Sequence, residues 1–392
     1  MSIDMQAMER CLGWIRREML PSPDGRRGVY ERIRINLNTN SWWVRPDCTI
    51  EVARSFGAYG QIRNDEASLI LSRNLIDWVV SQQRADGSFP FYRFLPPDNQ
   101  IADVAPPEAQ ETTFPNDQGK IARGLWWAYL AHGDPRYYEA ARRVLGFLMA
   151  HQAADGTFLT DVEPRYCGAC FVIWPVIGLL RGDQIAGEQS HRAAAEQGLH
   201  WLQAHLLPDG RMRTSYETAG VEEWRPPSSE TAMALKVFSL AYGILGVPLD
   251  RDAINRLGAF LLRLQHANGA IRNADDSCRH ASLQNDPNLT DLVYTDSYAL
   301  LALQEAYQAT GEPRFRAAAD RLADFLVRVQ CREESPLWNG GWRGAYDVNT
   351  LEPRGRANQE NPLDEGGMYS VYTGWCATPI TYGLLRRELW QL

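Results

Sequence analysis

Four acidic residues, Asp47, Asp117, Glu230 and Asp296, each fall at or beside the start of a strongly apolar helical run. Carboxyl groups brought close together inside a protein lose solvation and repel one another. One then rises toward neutrality while another stays charged, which is the division of labour that general acid–base chemistry requires. The residues around these acids suit a sugar. Trp43 and Arg45 precede Asp47; Trp224 and Arg225 precede Glu230; Asp291 and Tyr294 precede Asp296; Arg165 leads into a third run, and Glu365 and Trp375 flank a sixth. Flat aromatic rings stack on the apolar face of a pyranose, and a planar guanidinium grips a carboxylate through two parallel hydrogen bonds. Tyr294 is also the nearest candidate for the base of a uronyl lyase. Plainer roles exist for all of them. An acid at a helix start caps free backbone N–H groups for about 0.5–2 kcal/mol, and Arg45 has Asp47 and Glu51 within reach as ion-pair partners.

Something must bring these scattered segments to one place, and the turns between them say what. Apolar runs close on Asp24-Gly25, Asp86-Gly87, Asp155-Gly156, Asp209-Gly210, Asn268-Gly269 and Asn339-Gly340, at intervals of 62, 69, 54, 59 and 71 residues, which is room for two helices per unit. Self-similarity at such a period marks a repeat architecture. Within each unit one helix has a charged face and the other is apolar nearly all round, so the first lies outside and the second is buried. The pattern predicts outer helices over 4–20, 66–84, 137–152, 190–206, 250–267 and 314–331. Inner helices are predicted over 47–62, 117–132, 167–181, 229–245, 292–309 and 370–388. Six such hairpins close into an all-α (α/α)6 toroid, a single domain spanning 1–392. The inner helix starts then emerge at one mouth, fed by the long segments 21–46, 88–116, 208–228, 268–291 and 332–369, and structureless stretches of that length are usually functional.

Composition narrows the partners. A net charge of −8 and a pI near 5.5 argue against nucleic acid, which needs a clustered basic surface. No run reaches the roughly 18 uninterrupted apolar residues of a membrane span. The first 20 residues read as an amphipathic helix, not a secretory signal. Seven cysteines, an odd number without framework spacing, point to reduced thiols and a cytoplasmic location. Cys167 and Cys170 have the two-residue spacing of a zinc half-site but no second pair. No metal and no organic cofactor is expected, the expected partner is an oligosaccharide or other small-molecule substrate, and the oligomeric state is not legible.

The ring, its turns and its helix-start acids resemble the six-hairpin carbohydrate-active enzymes, including unsaturated glucuronyl hydrolases and related glucuronidases. That resemblance implies a glycoside hydrolase using two of the four carboxylates to remove a uronic-acid-type sugar from the end of an oligosaccharide. The runs Gln83 to Phe89 and Gln152 to Phe158 also resemble the repeated motif of terpene cyclase and prenyltransferase toroids, and Ser229 to Ala234 is similar to the acidic motif of proton-initiated cyclases. There the match fails: Ser229 stands where the proton-donating Asp belongs, and Pro227 where the first Asp belongs. The expectation is a sugar hydrolase, with a uronyl lyase or a cyclase-like toroid as alternatives, and a binding scaffold as the non-enzymatic one.

Overall fold

A computed structural model describes residues 2–95, 112–159, 168–213, 226–275, 286–332, 335–355 and 367–391. Twelve α-helices among them alternate between an outer and an inner ring. The outer helices are α1 (Ile3–Trp14), α3 (Glu66–Ser81), α5 (Pro135–Ala150), α7 (Gln189–Ala204), α9 (Pro248–Leu264) and α11 (Pro313–Arg328). The inner ones are α2 (Pro46–Arg63), α4 (Pro115–His132), α6 (Ala169–Ala186), α8 (Pro227–Leu245), α10 (Ser297–Thr310) and α12 (Thr378–Gln391). Each inner helix packs on the next and α12 packs back on α2, so the ring is closed, as the sequence pattern predicts.

The tight hairpins run from an inner helix to the outer one that follows. At these corners the chain passes through one left-handed residue, Asn64, Gly133, Gly187, Gly246 or Gly311, and the next helix often begins on proline, as at Pro135, Pro248 and Pro313. This is the usual chemistry of a helix stop followed by a helix start. The first helix has no such partner in sequence. It closes on the last, where buried Arg387 forks onto Asp4 and reaches Asp324 at 2.6 Å.

The Asp-Gly turns are joints between neighbouring units. The amide of Gln83 donates both to the carbonyl of Gly87 and, across the gap, to Ala140 on the next outer helix, at 2.9 Å each. Gln152, Gln265 and Gln330 repeat the pattern onto Ala194, Ala318 and Ala7. In the remaining unit of this type Leu206 takes the glutamine's place. The turn acid accepts from the residue two places on, as Asp155 does from the amide and hydroxyl of Thr157 at 3.0 and 2.6 Å. Glycine is required for two reasons, visible at Gly210: its φ is +91°, and a Cβ there would stand 2.6 Å from the carbonyl oxygen of Arg256 on the neighbouring helix.

Three features differ from the sequence expectation. Five of the six outer helices end two or three residues early, because the residues before the turn leave the helix to make the joint, and α1 passes after Trp14 into a π-helical turn, Ile15–Met19. Short strands form at the mouth: β1 (Arg32–Arg34), β2 (Thr39–Asn40), β3 (Trp43–Val44), β4 (Arg93–Phe94), β5 (Leu289–Asp291), β6 (Ala345–Asp347) and β7 (Ser370–Tyr372). They pair antiparallel as β2-β1-β7, β3-β4 and β5-β6, tying distant segments together around the inner helix starts. Finally, α6 has a mean hydropathy of 1.3 over its 18 residues, enough by length and composition for a membrane span. The ring explains that apolarity, because most of the helix is buried between its neighbours.

Candidate active site

Asp47 and Asp117 lie in the first turns of adjacent inner helices, and one guanidinium joins them. Arg45, the N-cap residue of α2, is 4% exposed. Its Nε lies 3.0 Å from Asp47 Oδ1, its Nη2 lies 2.8 Å from Asp117 Oδ2, and its Nη1 donates to Glu31 at 2.6 Å. Lys120, one turn below Asp117 on α4, is fully buried and places its ammonium 3.3 Å from Asp47 Oδ2 and 3.4 Å from the centre of the Trp375 ring. Nη2 of Arg45 also lies 3.3 Å from Asp47 Oδ2, so that oxygen and Asp117 Oδ2 are within about 6 Å of each other.

Burial and the shared cations set the protonation pattern. Among the described residues Glu31, Asp47 and Asp117 share Arg45 and Lys120 in a region with almost no water contact. Burial pushes the Asp117 carboxyl up to about 8, against the pull of Arg45 and with the added repulsion of Asp47. Burial acts on Asp47 in the same sense, but Arg45 and Lys120 together outweigh it and hold Asp47 below the ordinary carboxylate range. The two carboxyls are thus pushed in opposite directions, the kind of split that general acid–base chemistry requires.

Aromatic rings surround the pair. Phe91 covers the Arg45 guanidinium at 4.3 Å, and Phe91, Phe114 and Phe171, all half-buried, follow one another with ring centres 4.7 and 6.3 Å apart. Trp375 sits in the π-helical turn Thr373–Ala377 that enters α12, 4% exposed, with Tyr294 edge-on at 5.9 Å and an indole N–H that has no hydrogen-bond partner. Trp43 stacks on Tyr92 with ring centres 4.8 Å apart and the planes nearly parallel. The guanidiniums of Arg32 and Arg34 lie 5.7 and 5.9 Å from the Trp43 ring centre.

The other predicted residues divide. Asp296 is fully buried and does a joint's work: it accepts the backbone N–H of Ile271 at 3.1 Å and the hydroxyl of Thr290 at 2.7 Å. The same position in three other units does the same, with Thr49, Gln118 and Thr231 receiving the amides of Val29, Phe89 and Met212. Asp291 caps the turn Leu292–Asp296 by accepting from Val293 and Tyr294 at 2.9 and 3.3 Å. Glu230 is fully buried in the first turn of α8, one residue before the Thr231 joint, the register that Asp117 holds before Gln118. Arg165, Trp224, Arg225 and Glu365 lie outside the described residues. Glu31, Lys120, Arg34 and the phenylalanine series were not foreseen. A signal for Lys120 exists: it and Arg123 interrupt an inner helix at a three-residue spacing, where a surface explanation is unavailable. Among the described residues no group of three or more His, Cys, Asp and Glu side chains could hold a metal ion, and the described cysteines are free and buried.

No protein-family model matches the sequence and no curated protein matches it. Solved structures do match, over essentially the whole chain. A sugar epimerase from a ruminal bacterium aligns with a TM-score of 0.73 at 10% identity, covering 100% of both chains. A cellobiose 2-epimerase from Spirochaeta thermophila gives 0.71 at 14% identity, covering 98% of this chain and 95% of its own. The GH76A α-1,6-mannanase of Salegentibacter sp., in an inactive variant with two aspartates replaced and bound to α-1,6-mannotriose, gives 0.64 at 12% identity over 98% of each chain. At such identities the likeness establishes the fold, an (α/α)6 toroid.

Proposed function

We propose that this protein is a carbohydrate-active enzyme, a glycoside hydrolase that donates a proton from Asp117 to the leaving oxygen of a terminal sugar. The observation that carries the reading is the geometry of the pair: two buried carboxyls joined by one guanidinium, with Lys120 on Asp47 alone, so that burial pushes Asp117 up to about 8 while Arg45 and Lys120 hold Asp47 low. In this scheme Asp47 stabilises the positive charge that develops on the sugar ring, and the half-exposed Phe91 and Phe114 provide the stacking surface. The limit of about 6 Å between the nearest oxygens is below the roughly 6.5–9.5 Å that an intervening water needs and favours a retaining outcome.

A uronic-acid-type substrate is the finer part of the proposal, and its carboxylate is assigned to Arg34. Arg45 is occupied by three carboxylates, whereas Arg34, half-buried beside Trp43 and with Glu31 near enough to raise its pKa, makes no ion pair among the described residues, and its Nε has no hydrogen-bond acceptor there. Burial and the neighbouring Arg32 lower the Arg34 pKa, a cost that an incoming anion would relieve.

A second reading, sugar epimerisation or isomerisation, is favoured by the names of two of the similar structures. One experiment separates the two: incubate the protein with mannose-, glucose- and uronic-acid-containing oligosaccharides and analyse products by mass spectrometry and NMR. Hydrolysis splits the chain with addition of water, whereas epimerisation leaves the mass unchanged and alters the spectrum of the reducing sugar. Neither change on any sugar would overturn the whole reading.

A further inference from the structure

The ring has a second opening, at the C-terminal ends of the inner helices, opposite the Asp47–Asp117 pair. A cavity of about 340 Å³ lies there, lined by residues of all six inner helices. Five of its side chains are cationic, Arg54, Arg123, Arg181, Lys236 and Arg386, and Glu305 is the one acid on its wall.

The partners do not balance this charge. Glu305 accepts from both Lys236 and Arg386 at 3.1 Å. Glu51, behind the wall, serves both Arg54, at 3.0 Å, and Arg123. Among the described residues Arg181 hydrogen-bonds only the neutral amide oxygen of Gln184, at 2.7 Å, and feels the charge of Glu305 without pairing with it. Five cations thus share two carboxylates. The ordinary explanation for basic residues here is that they satisfy helix C-terminal carbonyls. None of the five donates to a backbone carbonyl among the described residues. Moreover Arg54 and Arg123, 5% and 6% exposed, each keep an Nε–H without an acceptor. A buried, unsatisfied guanidinium N–H is costly unless something binds it. Burial and the neighbouring guanidiniums push Lys236 down to about 7 despite Glu305, the response expected of cations crowded with too few anions.

The structure assigns to this cavity a small organic phosphate, its phosphoryl oxygens held by Arg54, Arg181, Lys236 and Arg386 and its uncharged body against Trp127 and Leu240. Multiple guanidiniums match phosphate oxygens through paired hydrogen bonds. The volume suits a phosphorylated monosaccharide and is too small for a polymer. The assignment does not depend on the sugar-hydrolase reading of the opposite mouth.

Isothermal titration calorimetry and thermal unfolding, at constant ionic strength, test it with inorganic phosphate, glucose 6-phosphate, glucose and chloride as ligands. Saturable binding of glucose 6-phosphate with a rise in Tm is expected, with no effect of glucose or chloride. Arg181→Gln is the informative variant, because this side chain lies at the rim and holds only Gln184, so the ring folds without it; binding should weaken at least about tenfold. Inorganic phosphate binding as tightly as the ester would support the phosphate site and assign it to the free ion. No saturable binding of either phosphate, or equal binding by wild type and Arg181→Gln at matched ionic strength, would overturn the proposal.

Discussion

Replacing Arg45 with Met tests the core of the site without requiring a substrate. The guanidinium is 4% exposed and holds Glu31, Asp47 and Asp117 at 2.6, 3.0 and 2.8 Å. Methionine fills most of the aliphatic volume and removes the charge, leaving Lys120, which among the three carboxylates pairs with Asp47 alone, as the remaining cation of the cluster among the described residues. Removing one partner of a buried ion pair costs about 3–5 kcal/mol. The three contacts share one network, so their losses do not add, and the expected total stays near the upper end of that range. The sign of the pH dependence follows from the carboxyls. Asp117 already has a folded-state pKa of about 8, far above its unfolded value near 4. Without Arg45 the folded-state values rise further, so the folded protein binds more protons than the unfolded chain across that window. Its stability falls as pH rises from about 4 through 8. Urea unfolding of the wild type and Arg45→Met should therefore show a small deficit at pH 5 and the full one at pH 8, with partial rescue by Asp117→Asn. A loss under about 1 kcal/mol at both pH values would refute the reasoning, since it would mean that three buried carboxylates do without their shared cation.

On whichever sugar is turned over, Asp117→Asn should lower turnover at least ~10²-fold. The wild-type rate should fall as pH passes about 8, where the proton donor is lost, and that limb should be absent from the variant's residual activity; a residual profile that keeps the limb would move the acid elsewhere. Arg34→Gln should reduce kcat/KM far more on a uronide than on the matching neutral glycoside, whereas Arg45→Lys should damage both alike; equal effects of Arg34→Gln would direct the search to neutral sugars. Gln265→Leu removes three side-chain hydrogen bonds at a joint, two donated to Gly269 and Ala318 and one accepted from Arg321, and should cost about 1.5–4.5 kcal/mol at roughly 0.5–1.5 each, read as a lower Tm with unchanged circular dichroism. The fold already tolerates Leu206 at the corresponding place.

The helix ring was legible because its signals are local and repeated: a turn glycine, an apolar inner run, a charged outer face. What escaped was set by closure. Strand β1 pairs Arg32 with Tyr372 and Arg34 with Ser370, residues at opposite ends of the chain that meet because α12 returns to α2. Glu31 belongs to the same approach and reaches Arg45 from outside the helix-start register. Lys120 escaped for another reason. A lysine in a helix reads as a wet face, yet here it lies between Asp47 and the face of Trp375, where its charge is answered on both sides.

The four helix-start acids looked equivalent in the sequence, and the repeat itself separates them. A unit needs one acceptor near the start of its inner helix to receive an amide from the preceding turn segment, and Thr49, Gln118, Thr231 and Asp296 supply it in four units. Three neutral side chains do that job, so the acid at Asp296 is one acceptable solution among several and its presence says nothing of chemistry. One residue earlier the units hold Cys48, Asp117, Glu230 and Thr295. No joint requires a charge there, and a buried carboxylate costs several kcal/mol where a thiol or hydroxyl would do. Asp117 is retained at that cost, with Arg45, Lys120 and Asp47 arranged around it, and Glu230 occupies the matching place across the ring. An acid that the joint does not use is the one to replace first. On this argument Glu230→Gln should impair turnover while leaving the joint intact, whereas Asp296→Asn should act chiefly on Tm. The reverse result, a folded and inactive Asp296→Asn beside a fully active Glu230→Gln, would show that position in the repeat does not separate structural acids from chemical ones.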